Sequence, residues 1–106
     1  MILTVDIGNT IIAVGGFEGD MLAFVVRLAT NIKETSHEYA AKLDSILRLS
    51  DTETHSLTAA VISSVVPQLT GTIREALKIA FGIDALSVGP GVKTGINIHC
   101  DDPSSV

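Results

Sequence analysis

An apolar run, Met1-Ile2-Leu3-Thr4-Val5, stops at Asp6-Ile7-Gly8-Asn9-Thr10, and a second apolar run follows at once. Two β-prone stretches joined by a short polar, glycine-containing segment form a strand, a tight turn and a returning strand. The turn has two readings. In one, it meets a polyphosphate and its metal ion: Asp6 at the strand end faces Mg²⁺ directly or through water, Gly8 lets backbone approach an oxygen, and Asn9 and Thr10 are donors. In the other, it is only a hairpin whose Gly-Asn pair supplies positive φ.

The rest of the chain extends this start into β-β-β-α-β-α-β with short connections. Strands are expected at about 2–7, 11–17 and 21–28, with Glu18-Gly19-Asp20 turning the second into the third, so that the three form a meander. Thr35-Ser36-His37-Glu38 is a capping box, with Thr35 as N-cap and Glu38 three residues on. Tyr39, Leu43, Ile46 and Leu47 then give that helix one apolar face. Leu57 to Ser63 is a short apolar run of the kind buried on both sheet faces, a central strand.

A second helix carries Leu69, Ile73, Ala76, Leu77, Ala80 and Phe81 at helical spacing and ends at Gly82. Its start is open between Pro67 as first helical residue and a later capping box at Thr72 and Glu75. Ala85 to Val88 makes a fifth strand. This order is that of a ribonuclease-H-like α/β domain with a mixed five-stranded sheet.

At 106 residues and 46% hydrophobic, the chain can bury one core with a modest stability margin. No apolar run reaches the roughly 18 residues that span a bilayer, and Asp6 comes too early for a signal peptide, so a cytoplasmic protein is expected. A lone cysteine, Cys100, excludes an intramolecular disulfide. Twelve acidic against seven basic side chains, net −5, with no basic cluster, argue against nucleic acid as a partner. They leave ATP open, because backbone N–H groups, hydroxyls and one metal ion hold phosphates without a basic surface.

Other constellations carry less. Gly89 to Gly95 fits neither a Walker A loop, since Val92 rather than glycine precedes Lys93-Thr94, nor the dinucleotide spacing, and on local sequence it is a turn with a solvated lysine. Ser63-Ser64 has no histidine at triad spacing, and hydroxyls at a strand end bond to backbone. His37, His55 and His99 lack the paired spacing of a zinc site. Asp101-Asp102 before Pro103 has two readings, a carboxylate pair or, favoured on local sequence, a helix-capping or solvated turn.

Four blocks in register carry a family resemblance. Asp6-Ile7-Gly8-Asn9-Thr10 resembles the D-x-G-N-T phosphate motif that opens type III pantothenate kinases. Arg27-Leu28-Ala29-Thr30 is similar to the family's R-[IL]-[SA]-T, with Glu38-Tyr39 following as in its T-x-x-E-Y region. Ile62 to Pro67 is similar to I-S-S-V-V-P, and Gly89 to Gly95 to G-P-G-[VI]-K-T-G.

The resemblance implies the acetate and sugar kinase, heat-shock 70 and actin superfamily, with two ribonuclease-H-like domains closing on ATP. It implies Mg²⁺, a monovalent cation (K⁺ or NH₄⁺), pantothenate as phosphoryl acceptor, and a homodimer in the full-length form. It implies ATP contacts from Asp6, Ile7, Gly8, Asn9 and Thr10 through Ile11, Ile12 and Ala13, metal binding at Asp6, and substrate contacts near Gly95 and Cys100. Cys100 stands where the family has tyrosine, and a thiol supplies neither the ring area nor the phenolic hydrogen bond.

Asp101 and Pro103 match the family's next segment, while Asp102 stands where Asn is usual. The chain stops just before the family's G-A-D-R motif, so residues 1–106 are expected to be the first domain only. The general-base Asp, the substrate-side Arg and the second phosphate loop would lie beyond Val106, and the short chain alone is expected to be inactive. The alternative is a non-catalytic binding or transcription-accessory protein on the same fold.

Overall fold

The computed structural model describes residues 1–88. Strands β1 (Ile2–Ile7), β2 (Ile11–Glu18), β3 (Met21–Ala29), β4 (Ala59–Ser64) and β5 (Leu86–Val88), with helices α1 (Ser36–Leu49) and α2 (Pro67–Phe81), follow the expected β-β-β-α-β-α-β order. They form one mixed sheet in the order β3-β2-β1-β4-β5. β1 runs antiparallel to β2 and parallel to β4, β2 is antiparallel to β3, and β4 is parallel to β5. A one-turn 3₁₀ segment, Thr54–Ser56, leads into β4.

The core lies on one side of the sheet. Leu3, Val5 and Ile7 alternate inward along β1, join Ile12 and Val14 of β2 and Ala60 and Ile62 of β4, and meet Tyr39, Leu43 and Leu47 of α1 and Leu69, Ile73 and Leu77 of α2 in one cluster. Truncating any of the fully buried leucines to alanine would cost about 2–5 kcal/mol. The intervening residues Ile2, Thr4 and Asp6 point to the opposite face. There Phe17 is buried outside the main cluster, next to Ile2 and Leu22 in register. β4 alternates in the same way, with Ala60 and Ile62 buried and Ala59, Val61 and Ser63 half-buried. The expectation of a strand buried on both faces is therefore corrected. Both helices pack on one side, and among the described residues no second layer covers the other.

Helix ends follow side-chain chemistry. The Thr35 hydroxyl accepts from Glu38 N–H (3.2 Å) while Glu38 accepts from Thr35 N–H (2.7 Å), and these bonds hold the Glu38 carboxyl below its ordinary pKa. α2 begins at Pro67, with Val66 as N-cap. The Ser64 hydroxyl accepts from Val66 N–H and donates to Val66 O, both at 3.0 Å, which fixes the entry. Glu75 makes no capping box with Thr72, because it accepts from the Ser36 hydroxyl (2.8 Å) and ties α2 to α1. Gly82 closes α2 with φ of 70°, in the left-handed region. Among the described residues no helix is long and apolar enough to cross a membrane.

One irregularity shapes the meander. Between Gly16 and Phe17 the β2–β3 register shifts through a bulge, so Gly16 pairs with Phe24 and Phe17 with Leu22. A Cβ on Gly16 would fall 2.2 Å from the Phe24 ring, which covers the glycine and packs against the core. Gly16→Ala should thus destabilise the fold by about 1–3 kcal/mol in urea unfolding. Gly71, exposed on α2 with nothing within 4 Å of a built Cβ, should behave oppositely: Gly71→Ala should gain about 0.5–1 kcal/mol. Equal midpoints for the two variants would contradict this packing.

Candidate functional site

The parallel central strands β1 and β4 end side by side, with Ile7 opposite Ser64 and Val65 N–H donating to Ile7 O (3.0 Å). The β1–β2 turn, Gly8-Asn9-Thr10, rises at the same edge, and α2 starts just past Ser64. Ligands of open α/β sheets bind outside the carboxyl ends of such strands. Asp6 is exposed on the face opposite the helices, flanked by Ala13 on β2 and Ser63 on β4, with Arg27 of β3 beyond Ala13 in the same row. Adjacent strands lie about 4.8 Å apart, so the carboxylate stands between two small neighbours with a cation roughly two strand spacings away.

The turn is not the positive-φ hairpin that its Gly-Asn pair suggests. Among the described residues only Asp51, Gly19 and Gly82 have positive φ, so neither Gly8 nor Asn9 adopts the left-handed region. That reading is corrected, and steric room explains the glycine instead. The turn closes by Gly8 N–H donating to Ile11 O at 3.0 Å, and a Cβ on Gly8 would stand 3.0 Å from that same oxygen.

The end of β3 fastens the turn. The Thr30 hydroxyl donates to Gly8 O (2.8 Å) and Thr30 N–H donates to Thr10 O (2.9 Å). The next residue is fastened in turn by the phenol of Tyr39, which is fully buried, donates to Asn31 O (2.9 Å) and accepts from Asn31 N–H (2.8 Å). Both capacities of this buried hydroxyl are thereby met. Lys42, paired with Glu34, lies 5.9 Å from the Tyr39 ring centre, and the bond to Glu34 raises its pKa.

The structure gathers Asp6, Ile7, Gly8, Asn9, Thr10 and Ile11 at one edge. Ile12 faces the core, fully buried, so any ligand contact from it runs through backbone, whereas Ala13 lies beside Asp6. Gly95, Cys100, His99, Asp101, Asp102, Pro103 and the Gly89 to Gly95 loop lie outside the described residues. Ser64 spends its hydroxyl on the α2 entry, as expected of a strand-end serine. In the sequence Thr30 stands out only inside a matched block and Tyr39 as part of a helix's apolar face, and neither reading shows that they brace the turn.

Among the described residues no group of three or more His, Cys, Asp or Glu can hold a metal ion. A single exposed carboxylate such as Asp6 could hold a cation only with water or a bound ligand completing the cation's shell. An open cavity of about 480 Å³ lies at the other end of β1, lined by residues that include Met1, Glu18, Phe24, Asp51 and Glu53. Glu18, Asp51 and Glu53 against the one ammonium of Met1, which pairs with Glu18 at 3.8 Å, leave this cavity net negative and disfavour a polyphosphate there.

Residues 2–106 match the family model described as type III pantothenate kinase. The type III pantothenate kinase of Bifidobacterium longum (strain DJO10A) is 40% identical over 106 residues, all of this chain and 41% of that protein. The chain thus spans about two-fifths of this relative's length. Among solved structures, a ROK hexokinase from Thermus thermophilus superposes with a TM-score of 0.59 at 23% identity, covering 83% of this chain and 33% of that one. A putative N-acetylglucosamine kinase from Porphyromonas gingivalis gives 0.64 at 19% identity, covering 85% and 34%. At these identities the likeness concerns the fold, and it bears out the mixed five-stranded α/β domain.

The turn's steric account has a direct check. Gly8→Ala should lower stability by about 1 kcal/mol, because the new methyl forces the closing bond to Ile11 open. Amide exchange at Gly8 should accelerate in parallel. Wild-type stability with a protected Gly8 amide would show that the glycine is not required by this contact.

Proposed function

The chain belongs to the type III pantothenate kinase family, and from that premise we propose that it forms the phosphate- and metal-facing wall of an enzyme that phosphorylates pantothenate with ATP. That transfer to the terminal hydroxyl is the first step of coenzyme A biosynthesis. The observation that carries the reading is the exposed Asp6 carboxylate beside a braced, unstrained turn at the carboxyl ends of β1 and β4. Asp6 holds the metal, and Gly8, Asn9 and Thr10 meet the phosphates through backbone and side-chain donors. Bound Mg²⁺ would supply charge neutralisation on the transferred phosphoryl group.

The chain's own residues orient the triphosphate against the sheet edge, with Ile11 and Ala13 flanking it and the core-facing Ile7 and Ile12 contributing backbone alone. Positioning and electrostatics carry most of phosphoryl transfer, so a rigid wall is what this half has to supply. The monovalent cation, K⁺ or NH₄⁺, the homodimer, the pantothenate contacts near Gly95 and Cys100 and the cytoplasmic setting belong to the same proposal through the family. So does the division into a first domain, residues 1–106, and a second that brings the general base. A half cleft open to water neither orients two substrates nor excludes solvent, so residues 1–106 alone are inactive in this account.

The test couples ADP release to pantothenate addition, with this chain run beside one extended to the relatives' length. The long form should turn over pantothenate, and the short one should stay at background at millimolar ATP, Mg²⁺ and K⁺. Asp6→Asn in the long form should lower turnover by about a hundredfold or more, since metal charge stabilisation is worth several kcal/mol. Pantothenate-dependent turnover by residues 1–106 would contradict the reading, as would full activity of Asp6→Asn at saturating Mg²⁺. A long form that binds ATP without any turnover would favour the non-catalytic alternative.

A further inference from the structure

We propose that Thr30 is a positioning residue for the phosphate-facing turn, and that Tyr39 braces it through Asn31. The inference rests on the nucleotide reading above and adds to it the device that aims the turn. Thr30 takes both carbonyls that flank the tip: its hydroxyl holds Gly8 O at 2.8 Å and its N–H holds Thr10 O at 2.9 Å. In a trans peptide the C=O and the following N–H point in opposite directions, and no cis bond occurs among the described residues. With Gly8 O drawn toward Thr30, Asn9 N–H is aimed away from β3. The Asn9 and Thr10 N–H groups and the Asn9 side chain have no hydrogen-bond partner among the described residues. Unpartnered donors at a solvent-facing turn are available to an anion, and their aim is set from behind by one side chain.

The brace continues inward. Asn31, adjacent to Thr30, is clamped at N–H and C=O by the buried Tyr39 phenol at 2.8 and 2.9 Å, and Asn31 O also accepts from Glu34 N–H at 3.2 Å. Tyr39 stands in the first turn of α1, whose start is fixed by the Thr35 and Glu38 capping box. The tip of the turn is therefore tied to the helical layer through side chains that touch no substrate. A turn held this way enters binding already ordered, which lowers the cost of ordering it around phosphate.

The test follows the amide signals of the 106-residue chain by ¹⁵N NMR during titration with Mg·ATP, with adenosine as the phosphate-free control. In the wild type, Mg·ATP should shift Asn9 and Thr10 at millimolar concentration and adenosine should not. Thr30→Val keeps the shape and loses the hydroxyl. It should weaken the titration about fivefold and speed exchange at the turn amides, while the amides of α1 and α2 stay put. Thr30→Ser should restore affinity, a rescue that a purely packing role would not give. If Thr30→Val loses the fold, Tyr39→Phe carries the test: it leaves Thr30 in place, removes both phenol bonds to Asn31, and should weaken binding about twofold.

A Thr30→Val chain that titrates like the wild type overturns the positioning role alone, as does failure of Thr30→Ser to rescue or an unchanged affinity in Tyr39→Phe. Absence of any Mg·ATP shift at Asn9 and Thr10 in the wild type overturns the nucleotide reading and this inference with it.

Discussion

Strand β1 is hydrogen-bonded on both sides, and the strict alternation of its side chains fixes what every other element can do. Leu3, Val5 and Ile7 must face the helices because together they join the core cluster. A slip of one residue would expose all three and turn Asp6 inward, a buried carboxylate with no partner. Burial of three aliphatic side chains therefore also delivers one carboxylate to the open face at the carboxyl end of the strand. Stability and chemistry are written on alternate residues of one segment.

The second constraint is register. Across the regular part of the hairpin next to the Gly19-Asp20 turn, Glu18 pairs with Met21 and Phe17 with Leu22. Continued without a break, that register would set Thr30 opposite Asn9. The bulge at Gly16 and Phe17 advances β3 by one residue, so Thr30 meets Thr10 instead, with its hydroxyl in reach of Gly8 O. The bulge is held where Phe24 lies over Gly16, at the far end of the strands from the turn. A packing detail about five residue pairs away along the ladder thus decides what the tip of the β1–β2 turn can bond to.

Much of this was legible in the sequence. The meander, the Thr35 capping box, the Tyr39 to Leu47 face and the Gly82 cap all rest on local chemistry, and local chemistry won at each. The failures came where a distant partner decided. Glu75 looked like part of a capping box with Thr72 but is used by Ser36 of the other helix. β4 looked buried on both faces because its residues are all small or apolar, yet helices cover only one side. Gly8-Asn9 looked like a positive-φ pair because that is the common use of such a dipeptide. Thr30 could not be found by spacing alone, since the bulge that brings it to the turn depends on Phe24 filling the space above a glycine. The candidate site was legible as Asp6 to Thr10, while the side chains that brace it were not.

The central claim is that Mg²⁺ and the phosphates of ATP meet at Asp6 and the turn beyond it. Replacing Mg²⁺ with paramagnetic Mn²⁺ and recording which amides of the 106-residue chain broaden in the presence of ATP tests this most directly. The account predicts ATP-dependent broadening centred on Asp6 to Thr10, spreading to Ala13 and Ser63, its neighbours across the sheet. Broadening centred instead on Glu18, Asp51 and Glu53, around the acidic cavity at the opposite end of β1, would contradict it.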